Sequence, residues 1–203
     1  MSGLLALFGT SADPPTVGHQ AVLAGLLEHY PKVCTWASEN PFKEHCSPLE
    51  VRSALLGAVV QGLAAQHQPG RLQQRQELSS RRAIDSLQAA QRLFPGDQPV
   101  FVVGTDLLAQ IPSWYAVNEW LPNYQLAVVP RQGWPLDDQD LLRLERLGAR
   151  IEHLPLLIPA SASSAIRRHP NPELVPAELL PMLVAQKLYG FTTADLPFPC
   201  GSP

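Results

Sequence analysis

Thr16, Gly18 and His19 close the run Gly9-Thr10-Ser11-Ala12-Asp13-Pro14-Pro15-Thr16-Val17-Gly18-His19, and their types and spacing suit the binding of an anion. An apolar segment, residues 4–8, comes before them and reads as a buried strand. Residues 20–30 come after, with Val22, Leu23, Leu26 and Leu27 at helical spacing. A strand, a turn of small residues and a helix start aim backbone N–H groups and the positive end of the helix dipole at one spot. His19, in the first turn of that helix, is placed to meet a phosphate there. The spacing is neither G-x-G-x-x-G nor that of the P-loop, which disfavours hydride-transfer cofactors and P-loop hydrolysis. A second stretch, Ser161-Ala162-Ser163-Ser164-Ala165-Ile166-Arg167, puts hydroxyls at a helix start and an arginine one turn later, a pattern able to make charge-assisted hydrogen bonds to phosphates. Alone it reads equally as an ordinary capped helix with solvated arginines.

The elements that must hold these stretches alternate along the chain. Residues 32–36 form a short strand candidate. Ser47-Pro48-Leu49-Glu50 then opens a helix running to about Leu63, with Ser47 as cap, Pro48 at the first helical position and Glu50 completing a capping box. The Gln-rich polar tract 61–76 reads as a flexible connection. A helix follows over residues 82–94 and stops before Pro95-Gly96. Residues 100–103 and 124–129 are continuous apolar runs of the kind buried on both faces of a parallel sheet. An amphipathic helix over 136–147 is ended by Gly148, and 151–154 is a last strand. Two helical segments near 164–168 and 179–187 close the chain. Strands alternating with helices predict a Rossmann-like doubly wound parallel α/β sheet with a small C-terminal helical part, its ligands at the strands' carboxyl ends. The segments Gly9 to His19 and Gly104-Thr105-Asp106 both follow strands, as that expectation requires.

At 203 residues the chain is expected to form a single domain over residues 1–192, followed by a loose Pro-rich tail over 193–203. Its net charge of −3 gives no electrostatic reason to expect nucleic acid or an anionic membrane as partner. No apolar stretch reaches spanning length, and no basic segment leads into a cleavable apolar one. Cys34, Cys46 and Cys200 are too scattered for a zinc cluster or a disulfide framework, which points to a reducing, cytoplasmic setting.

The pattern G-x-x-x-D-P-x-T-x-G-H resembles the (H/T)xGH signature of the nucleotidylyltransferase superfamily, with Thr16 and His19 at its key positions. The stretch 161–167 resembles that group's I-S-S-T-x-I-R motif, keeping Ser163, the hydroxyl of Ser164, Ile166 and Arg167. The residues between resemble bacterial nicotinate-mononucleotide adenylyltransferases up to about Phe191. Asn40-Pro41-Phe42-Lys43 stands for the P-P-x-K loop, and Arg52 for an early helical Arg. Ala83-Ile84-Asp85-Ser86-Leu87 resembles a T-x-D-T-L helix start, and Val103-Gly104-Thr105-Asp106 a G-A-D turn. Trp114 falls where the family stacks its pyridine, and Pro130-Arg131-Gln132-Gly133 resembles an R-P-G segment. Taken singly, Asp85 is a helix-start carboxylate, Asp106 a cap, Trp114 core and Lys43 a solvated loop lysine. Order and spacing together favour the ligand readings.

The resemblance implies transfer of the adenylyl group of ATP to nicotinate mononucleotide, with Mg²⁺ held mainly by triphosphate oxygens and water and no metal ligand from the chain. It implies His19, Thr16 and Arg167 as catalytic. It implies Gly9, Thr10, Ser11, Gly18, His19, Gly104, Asp106, Ser163, Ser164 and Arg167 as ATP-binding, and Lys43, Ala83, Asp85, Trp114 and Arg131 as contacts for a pyridine mononucleotide. A homo-oligomer is left open. Departures are visible: Arg81-Arg82-Ala83 replaces Ser-Tyr-Thr, which opens the question of acid against amide substrate. Ala160-Ser161-Ala162 is looser than the family's opening, and Gly9-Thr10 replaces a Gly pair, putting Thr10 in an unusual turn position. The alternatives are a nicotinamide-mononucleotide or pantetheine-phosphate adenylyltransferase, or a catalytically silent nucleotide-binding protein of the same fold.

Overall fold

The computed structural model describes residues 3–39 and 44–196. In chain order the elements are β1 (Leu4–Thr10), α1 (Val17–His29), β2 (Lys32–Ala37), α2 (Leu49–Ala64), β3 (Leu72–Gln74), α3 (Ala83–Leu93), β4 (Gln98–Gly104), α4 (Val117–Trp120), β5 (Gln125–Val129), α5 (Asp138–Arg146), β6 (Arg150–His153), α6 (Ser163–Arg168) and α7 (Leu180–Ala185), with short 3-10 turns between them. The strands form one parallel sheet in the order β3-β2-β1-β4-β5-β6. The chain winds outward from β1 to β3, returns to pair β4 against the free side of β1, and winds outward again. The loops leaving β1 and β4 therefore diverge, opening a crevice at their carboxyl ends where such sheets bind ligands.

Alternating strand residues divide the core between the two faces of the sheet. Ala6, Phe8, Val100 and Val102 pack with α1 and α2 through Leu23, Leu26, Leu56 and Val59. Leu5, Leu7, Phe101 and Val103 pack with α3, α4 and α5 through Leu87, Trp120 and Leu144. With both faces covered, the inner strands read as continuous apolar runs. At Gly148, φ is +88°, a left-handed conformation natural to glycine, and it ends α5 as the sequence requires.

Three expectations are corrected. Ser47 does not cap α2: its hydroxyl is engaged with that of Tyr189 and its N–H with Asp13 at 3.3 Å, and Pro48 takes the cap position without a side-chain cap hydrogen bond. The tract 61–76 is no flexible connection. It completes α2 and supplies edge strand β3, and Gln74 Nε2 donates to the Ser53 carbonyl at 2.7 Å. Thr10 ends β1 in an extended strand, and the left-handed residue of the following turn is Ala12, at φ +48°. Past Phe191 a short turn, Thr193–Asp195, is capped reciprocally by Thr192 and Asp195, and Leu196 packs on the core. Among the described residues no helix is long and apolar enough to cross a membrane.

Candidate active site

The β1–α1 turn delivers Thr16 to the N-cap of α1 in extended conformation, and a capping box closes there. His19 N–H donates to Thr16 Oγ1 at 3.4 Å, and Thr16 N–H donates to His19 Nδ1 at 3.0 Å. In a capping box the third helical residue is commonly Glu or Gln; here an imidazole does the same work. One consequence is chemical. A ring nitrogen that accepts a main-chain N–H carries no proton, so the neutral imidazole of His19 holds its proton on Nε2. The helix cap thus sets both the orientation and the tautomer of the partly exposed ring.

The second motif is stitched along the first. Ser161 Oγ accepts Gly18 N–H at 2.8 Å and donates to Thr16 Oγ1 at 3.0 Å, Ser163 Oγ donates to the Pro14 carbonyl at 2.8 Å, and Arg167 donates to the Asp13 carbonyl at 2.7 Å. Gly18 is needed for close approach: a Cβ there would stand 2.6 Å from Ser161 Oγ. Its N–H is engaged by that hydroxyl, and the Ser163 hydroxyl proton by Pro14, so in this arrangement neither points at an anion. Ser164 lies exposed on α6. Gly9, the last residue but one of β1, lies against the indole of Trp36, and the Ser11 carbonyl accepts from Arg52 at 2.6 Å.

Asp13, 1% exposed, is the hub beneath this loop and was not singled out by the sequence reading. Its carboxylate accepts the N–H of Cys46 at 2.7 Å, that of Ser47 at 3.3 Å and the Tyr189 hydroxyl at 2.7 Å, and it lies 3.8 Å from the Arg167 guanidinium. Arg52, 2% exposed, donates to the carbonyls of Ser47, Ser11 and Ser38. Burial lowers the pKa of its guanidinium from the usual value, with Asp13 opposing. Burial likewise raises the Tyr189 hydroxyl well above the usual phenol range. The available signals were the Asp in the D-P pair and a charged residue, Arg52, on the apolar face of α2.

At the end of β4 the turn bends back on itself. Asp106 meets Arg131 at 2.5 Å, and Thr105 ties this turn to Arg131 N–H at 3.1 Å and to the Trp134 carbonyl at 2.7 Å. A Cβ on Gly104 would lie 2.5 Å from Asp106 Oδ1, so glycine admits the carboxylate. Arg131 also borders a cleft of about 490 Å³ whose walls are residues 130–132 and 156–159. Because the Pro159 carbonyl lies beside Gly18, this largely apolar cleft adjoins the His19 loop.

Beyond it, Trp114 stands edge-on to Phe101 (centroids 6.3 Å) and tilted against Trp120 at 6.1 Å, with Nε1 buried and without a partner among the described residues. Ala83, at the start of α3, packs in the same apolar cluster. Nearby Arg82 lies 4.0 Å over the exposed ring of Tyr115. Asp85 accepts from Ser80 Oγ at 3.0 Å on the exposed side of α3. Lys43 lies outside the described residues. The structure therefore gathers Thr16, Gly18, His19, Ser163 and Arg167 at one point and Gly104, Asp106 and Arg131 at a second. Trp114 and Ala83 form a third group.

Residues 7–169 match the cytidylyltransferase-like family model. A probable nicotinate-nucleotide adenylyltransferase of Synechocystis sp. is 37% identical over 199 residues, covering 91% of this chain and 98% of the relative. One of Chlorobaculum tepidum is 31% identical over 201 residues, covering 91% and 97%. Among solved structures, Plasmodium falciparum nicotinic acid mononucleotide adenylyltransferase complexed with APC superposes with a TM-score of 0.72 at 18% identity, covering 94% of this chain and 98% of that one. The same enzyme complexed with NaAD gives 0.70 at 16%, covering 93% and 98%. At such identities the likeness is one of fold.

Proposed function

The chain belongs to the cytidylyltransferase-like family, among the nicotinate-nucleotide adenylyltransferases, and from that premise we propose that it transfers the adenylyl group of ATP to nicotinate mononucleotide. The phosphate oxygen of the mononucleotide attacks the α-phosphorus of ATP, the α–β anhydride bond breaks, and pyrophosphate leaves. No side-chain nucleophile is needed. The work is to hold two polyanions in line and to neutralise charge on the leaving group. The observation that carries the reading is the capping box that gives His19 a fixed Nε2–H, joined through the loop to the anchored Arg167.

In this reading His19 Nε2–H donates to the phosphate oxygens at the transferring group, and Arg167, held on Asp13, faces the β- and γ-phosphates. Ser163 and Ser164 reach them through main-chain N–H groups. Asp106, already paired with Arg131, accepts the ribose hydroxyls, and the cleft beside Arg131 takes the adenine. Trp114 stacks on the pyridine, with Ala83 beside it. A divalent cation, Mg²⁺ by this reading, enters with the triphosphate, whose oxygens and waters hold it.

The test is pyrophosphate release from ATP and Mg²⁺ with nicotinate mononucleotide, and in parallel with nicotinamide mononucleotide. A preference for the acid is expected. Preference for the amide would keep the chemistry and change the substrate, and release with neither would overturn the reading.

A further inference from the structure

We propose that Ser161 is a positioning residue for His19, an assignment that rests on reading His19 as the phosphate-binding catalytic group. The position is one where the chain departs from the motif it otherwise resembles: a serine stands where that motif has isoleucine. The structure gives this serine a specific task. Its hydroxyl accepts Gly18 N–H at 2.8 Å and donates into Thr16 Oγ1 at 3.0 Å, while its own carbonyl lies 3.2 Å from the same Thr16 oxygen.

Proton counting shows why this matters. Thr16 has a single hydroxyl proton with two acceptors in reach, the Ser161 carbonyl at 3.2 Å and His19 Nδ1 at 2.8 Å. Nδ1 has one in-plane lone pair, and Thr16 N–H already aims at it from 3.0 Å. When Ser161 donates into Thr16 Oγ1 and offers its carbonyl to the Thr16 proton, that proton is drawn off Nδ1. The lone pair is then left to the main-chain donor. The ring, already the Nε2–H tautomer through the capping box, is thereby held in one orientation.

The same hydroxyl caps the second helical N–H of α1, while Thr16 caps the third, so two N–H groups of the first turn are satisfied by side-chain oxygens. Gly18 complements it sterically, since any Cβ would drive Ser161 away. Ser161 touches no reacting atom in this scheme. It acts through Thr16 on the angle of the imidazole and on which donor meets its Nδ1, and it locks that imidazole to the segment carrying Arg167.

Ser161→Ala is the direct test, with Ser161→Thr as the variant that keeps a hydroxyl. Steady-state kinetics with ATP and nicotinate mononucleotide should show kcat reduced about tenfold in Ser161→Ala with both KM values within about twofold, since sub-ångström misplacement costs turnover more than binding. Ser161→Thr should recover most of that loss. Gly18→Ala should fall with Ser161→Ala.

The deciding readout is the ¹⁵N resonance of His19 Nδ1: one sharp signal of a nitrogen bonded by the main chain in the wild type and Ser161→Thr, a shifted or broadened signal in Ser161→Ala as the Thr16 hydroxyl competes for the same lone pair. Wild-type kcat with an unchanged ring pattern in Ser161→Ala would overturn the proposal. So would a loss of activity accompanied by a lower melting temperature and an unchanged ring pattern, because Ser161 would then be structural only. If the wild type releases no pyrophosphate, the functional reading fails instead, and the ring spectrum still decides the positioning role.

Discussion

Asp13→Asn is the substitution whose effect follows most directly from the geometry. The side chain is 1% exposed, and its oxygens serve two main-chain N–H donors and a phenol. An amide of the same shape keeps one accepting oxygen and presents an NH₂ to the remaining donors. At least one buried donor then loses its partner, at about 1–3 kcal/mol. The negative charge beside Arg167 (3.8 Å) and buried Arg52 is removed as well, and leaving buried cations without it adds roughly 1–2 kcal/mol on the scale of charged hydrogen bonds. A total of about 3 kcal/mol in a chain of 203 residues lowers Tm by about 6–12 °C. Differential scanning calorimetry of wild type and variant reads this directly. Turnover should also fall, because the carboxylate 3.8 Å from the Arg167 guanidinium is lost and the side-chain bonds that anchor the loop leading to Thr16 are weakened. A variant with Tm within about 2 °C of wild type and unchanged kcat would refute the view of Asp13 as the hub of the site.

Trp114→Ala should weaken the pyridine mononucleotide by about 1–3 kcal/mol, the scale of base–aromatic stacking, while ATP affinity stays close to wild type. Isothermal titration of each ligand separates the two, and equal losses for both would contradict the stacking role. Stability should decline at alkaline pH. Burial pushes the Cys34 thiol from 9.0 up to about 12 and raises the hydroxyls of Tyr30 and Tyr189 above their ordinary 10.0. These groups keep their protons in the folded protein after the unfolded chain has lost them. Their contribution is whole below pH 9 and lost as pH rises, at about 1.4 kcal/mol per pH unit for each group titrating. Urea midpoints measured from pH 8 to 11 should fall, and Tyr189→Phe should flatten the decline above pH 10; a flat wild-type curve would be inconsistent with it.

The sheet was legible because most of its strands are buried on both faces: residues 4–8, 100–103 and 124–129 carry apolar runs that admit little else. β3 was not, since an edge strand of three residues buries only Leu72 and uses its glutamines to grip α2. The strand order could not be read either, because alternation fixes parallel pairing without saying which side of β1 receives β4. In the candidate site, spacing had singled out His19, Ser163 and Arg167, which the fold brings to one loop. Asp13, Tyr189 and Ser161 act through contacts of 176 and 145 positions' separation, and no local pattern announces such partners. The Ser47 cap failed for the same reason, a local signal overridden when the distant Tyr189 engaged its hydroxyl.

The central claim is adenylyl transfer at a phosphate site organised by His19. The most direct measurement follows formation of the dinucleotide from ATP and nicotinate mononucleotide by the wild type and His19→Ala side by side, with kcat and both KM values determined. The account predicts robust product from the wild type and a kcat about 10²-fold lower in His19→Ala, the scale of losing one preorganised donor to a developing charge, with KM for the mononucleotide little changed. Turnover by His19→Ala close to that of the wild type would contradict it.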